Sequence, residues 1–318
     1  MESVRRSRFL GHWRLWTALL CCLCTTAVAA PTKKKKSSSK SSSAKKSQTA
    51  RVKRPAPPPE PEFLPGGIPA TRAAAVMVID ARTGEVLYEK NADERRAPAS
   101  TQKLLTALVV AEGGYLDQPI TILPSDTYAE PTKLNLKAGD SYRRIDLLRA
   151  LLVKSPNDVA RALARDRAGS VEAFAVAMNN RARAAGANNS FFINPNGLPA
   201  PGQYSSARDL AMIARAGYAN PTIRSIVSLP SMVFRYADGR TRELENTNKV
   251  LKRLPYCNGM KTGYTDAAGS CLISSASRPG RDVIVVVLGH TKPRIWTDSA
   301  AFLTWALTRD PPLAGRVP

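Results

Sequence analysis

Strand-forming runs stand at both ends of the apolar part of this chain, and helical runs fill the interval. Residues 74–80 and 85–88 read as two β-strands around a turn at 81–84, being rich in Val, Ile, Leu and Tyr with a Gly at the turn. Residues 145–153, 158–168, 171–185 and 207–216 instead repeat apolar side chains at helical spacing. Strands return at 232–236, 256–262, 270–277 and 283–289, and 294–307 predicts a last helix. A chain built in that order forms one sheet covered by helices, with a helical subdomain inserted between its strands.

The ends do not belong to that pattern. Arg5, Arg6, Arg8 and Arg14 precede an apolar stretch at 15–28, and Ala27-Val28-Ala29 fits a small-x-small cleavage site. Residues 1–29 are therefore read as a signal peptide, or as an uncleaved anchor that tethers the domain outside the membrane. Residues 30–68 are rich in Lys, Ser, Pro and Ala and lack apolar periodicity, so they read as a disordered basic linker. The folded region is expected at 69–310 and a short tail at 311–318. The formal net charge is +22 over 318 residues, of which +3 falls in 1–29 and +8 in 30–65. Such a tail is a solvated spacer or an electrostatic contact to anionic envelope surfaces. A nucleic-acid role would need a cytoplasmic chain, which the signal argues against.

Three short strings carry chemistry: Ser100-Thr101-Gln102-Lys103, Ser155-Pro156-Asn157 and Lys261-Thr262-Gly263. Serine and lysine at i and i+3 share one face of a helix, so a lysine amine can serve as base for a serine hydroxyl. Ser-x-x-Lys alone is weak, because the tail repeats it at Ser37 to Lys40 and Ser42 to Lys45. The context at 97–111 strengthens the reading. Ala97-Pro98-Ala99 breaks the chain and an apolar helix follows, which puts Ser100 near a helix N-terminus. A plain N-cap is the alternative. The chain has only His12 and His290, so a two-histidine metal site outside the targeting segment is excluded. A serine–histidine–aspartate triad would have to use His290. No cofactor or metal is expected. Cys257 and Cys271 flank the third string. They read equally well as a disulfide stapling the hairpin and as two reduced thiols.

The three strings, with 97–108, 136–140, 155–160, 194–199, 246–248 and 258–269, resemble the serine D-alanyl-D-alanine carboxypeptidases, the low-molecular-weight penicillin-binding proteins of peptidase family S11. The resemblance covers roughly residues 71–305. It implies an α/β fold of the serine β-lactamase/penicillin-binding transpeptidase type, an antiparallel sheet flanked by helices plus a helical subdomain. It implies Ser100, Lys103, Ser155 and Asn157 as catalytic residues and Lys261, Thr262, Gly263 and Tyr264 as substrate-binding residues. In that scheme Ser100 is the nucleophile, Lys103 its base, and Ser155 relays a proton to the leaving amine. Asn157 holds Lys103 and the substrate amide, and Lys261 and Thr262 orient the terminal carboxylate. The backbone N–H groups of Ser100 and Tyr264 form the oxyanion hole. The implied substrates are peptidoglycan stem peptides, and the implied inhibitors are β-lactams.

Two positions depart from the family pattern. Pro156 stands where glycine is common, which should stiffen the loop. His290 follows Gly289, where relatives often carry an arginine for the substrate carboxylate, so that role would pass to Lys292 or Arg294. An endopeptidase cleaving cross-links therefore stays open beside a carboxypeptidase. A β-lactamase would need a Glu-x-x-Leu-Asn element, and Glu172 with Met178-Asn179 does not supply it. A non-enzymatic polyanion-binding envelope protein is the remaining alternative. Export to the periplasm or cell envelope follows from the signal.

Overall fold

The computed structural model describes residues 60–309. The expected signal or anchor at 1–29, the basic run of the linker and the tail at 311–318 lie outside the described residues. Described backbone begins inside the stretch read as linker: Phe63 bridges Pro69, and Ala70 N–H donates to the Glu62 carbonyl.

The chain opens with a hairpin, β1 (Ala75–Asp80) and β2 (Val86–Lys90). A 3-10 turn at Ala99–Gln102 then runs into α1 (Lys103–Glu112). The short strands β3 (Pro119–Thr121) and β4 (Ser141–Arg143) pair with each other. The helices α2 (Arg144–Lys154), α3 (Asn157–Ala168), α4 (Val171–Ala184), α5 (Ala207–Ala219) and α6 (Pro221–Val227) follow. A second hairpin, β5 (Ser231–Arg235) and β6 (Thr241–Glu245), leads to β7 (Cys257–Thr265), β8 (Gly269–Arg278) and β9 (Arg281–His290). The described chain closes with α7 (Arg294–Thr308). Side-chain caps set several starts: Ser170 accepts from Ala173 N–H, Ser206 from Asp209 N–H, and Asn220 from Ile223 N–H ahead of Pro221.

The main sheet is antiparallel in the order β2-β1-β9-β8-β7, so the first and last strand regions meet at its centre. Alternation divides the side chains of β1 and β9 between two cores. Val76, Val78, Val285 and Val287 pack towards α7 with Phe302 and Leu303. Met77, Ile79, Ile284 and Val286 face the other helices, with Leu104 and Leu108 of α1. Every residue of β1 is buried, as a strand covered on both faces must be. Each fully buried aliphatic side chain contributes about 2 kcal/mol relative to exposure. The strand β7 is one edge of the sheet, opposite β2, and it lies against the turn that carries Ser100.

The disulfide alternative is not realised. Cys257 and Cys271 are both free and buried. Cys271 pairs in register with Gly263 and Cys257 with Ala276. Cys257 thus lies six residues, about 20 Å of strand, from Gly263, whereas a disulfide needs Cα atoms within about 7 Å. The two also belong to cores on opposite faces of the sheet.

Candidate active site

The Ser100 turn is held under strain from both sides. Ala99 sits at φ 49°, in the left-handed region that alanine avoids. The turn at 194–197 presses on it: a Cβ on Gly197 would come within 1.9 Å of the Ala99 carbonyl oxygen. On the opposite side, a Cβ on Gly263 would lie 2.9 Å from the backbone nitrogens of both Ser100 and Thr101. Glycine at 263 therefore lets the edge strand meet the helix start.

Around this turn the three strings converge. Lys103 Nζ lies 2.7 Å from Ser100 Oγ, 2.7 Å from Asn157 Oδ1 and 2.7 Å from the Asn196 carbonyl oxygen. Asn157 is the first residue of α3, and its Nδ2 donates to the Glu130 carbonyl. Ser155 caps the C-terminus of α2 at φ 68°, and Pro156 follows directly as the N-cap residue of α3. The two helix ends thus aim Ser155 and Asn157 at the same centre. Lys261 Nζ donates to Ser155 Oγ at 2.9 Å and to the Thr262 carbonyl at 2.9 Å. Thr262 Oγ1 meets Thr247 Oγ1 at 2.7 Å. Tyr264 is exposed, with Lys292 Nζ 4.7 Å from its ring centre.

Both lysines are fully buried. Burial holds the Lys103 ammonium well below the usual lysine range, the charge of Lys261 lowers it further, and Asp158 opposes both. Asp158 is itself buried and accepts backbone N–H groups from Leu134, Leu136 and Val159. Burial also brings Lys261 down to about 7. A neutral Lys103 amine keeps two N–H groups, which Asn157 and Asn196 take. Its lone pair is then left for the Ser100 hydroxyl.

Ser100, Ser155, Thr262, Gly263 and Tyr264 line a cleft of about 880 Å³. Lys103, Asn157 and Lys261 stand behind it. His290 is not part of it. Gly289, at φ 64°, lies at a register break between β8 and β9, and the next side chain turns towards α7. There His290 Nε2 meets Asp298 Oδ2 at 2.8 Å, and Thr71 Oγ1 donates to the same oxygen at 2.6 Å. Of the two substitutes expected for a carboxylate role, Lys292 lines the cleft, while Arg294 pairs with Glu62 at 3.3 Å. Glu172 is exposed on the first turn of α4 and does not line the cleft. The segment 194–199, part of the resemblance, touches the centre through the Asn196 carbonyl. Among the described residues no cluster of His, Cys, Asp and Glu could hold a metal ion.

A family model for D-alanyl-D-alanine carboxypeptidase matches residues 65–292. The chain belongs to this family. Within it, D-alanyl-D-alanine carboxypeptidase DacF of Bacillus subtilis is 34% identical over 230 residues, covering 71% of this chain and 59% of the relative's length. The D-alanyl-D-alanine endopeptidase of Escherichia coli is 30% identical over 245 residues, covering 76% of this chain and 79% of the relative. The crystal structure of a D-alanyl-D-alanine carboxypeptidase from Mycobacterium tuberculosis superposes with a TM-score of 0.74 at 32% identity, covering 79% of this chain and 97% of that one. The antiparallel sheet with its flanking helices is the fold of these carboxypeptidases.

Proposed function

We propose that this chain is a serine D-alanyl-D-alanine carboxypeptidase acting on peptidoglycan stem peptides through an acyl-enzyme on Ser100. The observation that carries it is the fully buried Lys103 amine 2.7 Å from the Ser100 hydroxyl, with Asn157 and Asn196 ready to take its remaining hydrogens. The hydroxyl proton passes to Lys103 as Ser100 Oγ bonds to the carbonyl carbon between the two D-alanines. The Ser100 and Tyr264 N–H groups stabilise the oxyanion. The C–N bond then breaks, and the proton reaches the leaving amine through Ser155, which Lys261 holds at 2.9 Å. Water completes the cycle by hydrolysing the ester. Lys261 and Thr262 orient the terminal carboxylate, and Gly263 admits the substrate backbone along the β7 edge.

A penicillin presents the same acyl carbonyl, so it would acylate Ser100 and inhibit the enzyme. The test is labelling with a fluorescent penicillin together with release of D-alanine from an acyl-D-Ala-D-Ala peptide. Native chain should take up the label and release D-alanine, and Ser100→Ala should do neither. An unlabelled native chain that leaves the peptide intact removes the reading.

Endopeptidase action on cross-links is the second reading, favoured by the similarity to the Escherichia coli endopeptidase and by a carboxylate position whose side chain, His290, faces α7. Fast turnover of penicillin is not expected, since no Glu172 carboxylate stands in the cleft to activate water. Export to the periplasm or cell envelope, by a signal or anchor at 1–29, would bring the site to its substrate. The Lys-rich run after it would hold the domain near anionic envelope surfaces.

A further inference from the structure

The cleft wall beside Thr262 is charged well beyond the rest of the chain. It carries Lys154, Lys249, Lys252, Arg253 and Lys292 against a single carboxylate, Glu245. The whole sequence has 47 Lys and Arg against 25 Asp and Glu, so a ratio of five to one is not the background. Glu245 is already engaged, with Lys252 at 3.1 Å. Lys154, Lys249, Arg253 and Lys292 have no carboxylate within ion-pair distance among the described residues.

The backbone that presents these cations is fixed. Asn246 Nδ2 donates to the Leu229 carbonyl, and its Oδ1 accepts from Asn248 N–H. Asn248, buried, donates to the Gly259 carbonyl at 2.7 Å and caps the short 3-10 turn Lys249–Lys252. The Thr247–Thr262 hydroxyl contact ties this segment to the strand position assigned above to the terminal carboxylate. The cations therefore border the leaving-group half of the cleft, and the backbone that carries Lys249 and Lys252 is set before any ligand arrives.

We propose that the segment 246–253, with Lys154 and Lys292 lining the same cleft, is an anion subsite for the leaving group. It takes a further carboxylate of the departing amino acid or peptide, beyond the terminal one. The favoured substrate class is then an acyl-D-Ala peptide whose leaving half is acidic, as a cross-linked stem with free carboxylates would be. The proposal rests on the serine peptidase reading and deepens it.

The test uses two isosteric probes, an acyl-D-Ala-D-Glu and the same acyl-D-Ala-D-Gln, which differ only in the charge of the leaving side chain. Turnover is followed on the full chain. Binding of both probes is measured separately on the Ser100→Ala chain. Two exposed charge contacts in a fixed wall should favour the D-Glu probe by about tenfold. Lys249→Gln with Arg253→Gln should bring the ratio close to one. Lys249→Glu with Arg253→Glu should turn it in favour of D-Gln, in chains shown by melting to be folded. Equal turnover and binding of the two probes, or a preference that survives the double glutamine variant, overturns the subsite while leaving the peptidase reading in place. Preferential D-Glu binding by the Ser100→Ala chain, with no turnover by the native one, supports the subsite and overturns the peptidase reading. Failure of both probes to bind overturns the subsite.

Discussion

As the proposed base Lys103 must be neutral, and burial with the charge of Lys261 favours the neutral amine while Asp158 opposes them. Removing it as base by Lys103→Gln should slow penicillin acylation by about 10²–10⁴-fold, the usual worth of a positioned base. The rate should rise with pH as Lys103 loses its proton. Lys261→Met deletes a neighbouring positive charge, so the Lys103 ammonium becomes easier to keep and the acid limb should move to higher pH. A pH–rate profile whose acid limb stays still or moves down would show that the two amines are uncoupled. Lys261 also carries a stability signature. Its amine falls from 10.5 to about 7 on folding, a cost of about 5 kcal/mol that is fully present below pH 7. Between about 7 and 10.5 the unfolded chain holds the extra proton, so stability should climb with pH, and Lys261→Met should flatten that climb in urea titrations at several pH values. That Ser100, Lys103, Ser155 and Asn157 belong together could be expected from sequence because their spacing and string order are local properties. Asn196 could not, because it meets Lys103 through a backbone carbonyl that leaves no side-chain signature. The direction of His290 depended on a bulge that changes the alternation of β9.

Among the elements, the meeting of β7 with the start of α1 decides whether the site exists. Gly263→Ala would drive a methyl into the Ser100 and Thr101 backbone, so penicillin labelling should fall steeply while the melting temperature shifts only modestly. Retained labelling in that variant would mean the strand can retreat without cost. Burial pushes both the Cys257 and the Cys271 thiol up to about 11. Both should resist alkylation in the native state and react after denaturation, with no mass change on reduction. Loss of two mass units relative to the dithiol would reverse that assignment. The long strands and helices were legible from their periods. The helix α6 was missed although Asn220-Pro221 is a cap followed by a proline at the first helical position. The strand β6 was missed because Thr241–Glu245 is mostly charged and has a single buried side chain, Leu244. The strands β3 and β4 have three residues each, too few to show any period.

At the scale of the molecule, the sheet joins residues far apart in sequence, and sequence reading found its strands but not their order. Nothing local in β1 names β9 as its neighbour; the pairing emerges only when both of its faces are buried. Phe302→Ala in α7 should cost about 3–5 kcal/mol and lower the stability of the whole domain, because the same core holds β1, β8 and β9 together. Two denaturation transitions instead of one shifted transition would show that α7 melts on its own. The β1–β9 pairing also bears on the export proposed above. Threaded amino end first through a translocation pore, β1 would wait without its central neighbour until some two hundred further residues had crossed. Fragments ending before Arg281 should stay unreactive towards penicillin, and nucleophilic power should arrive late and all at once, only after nearly the entire domain has left the compartment of its synthesis.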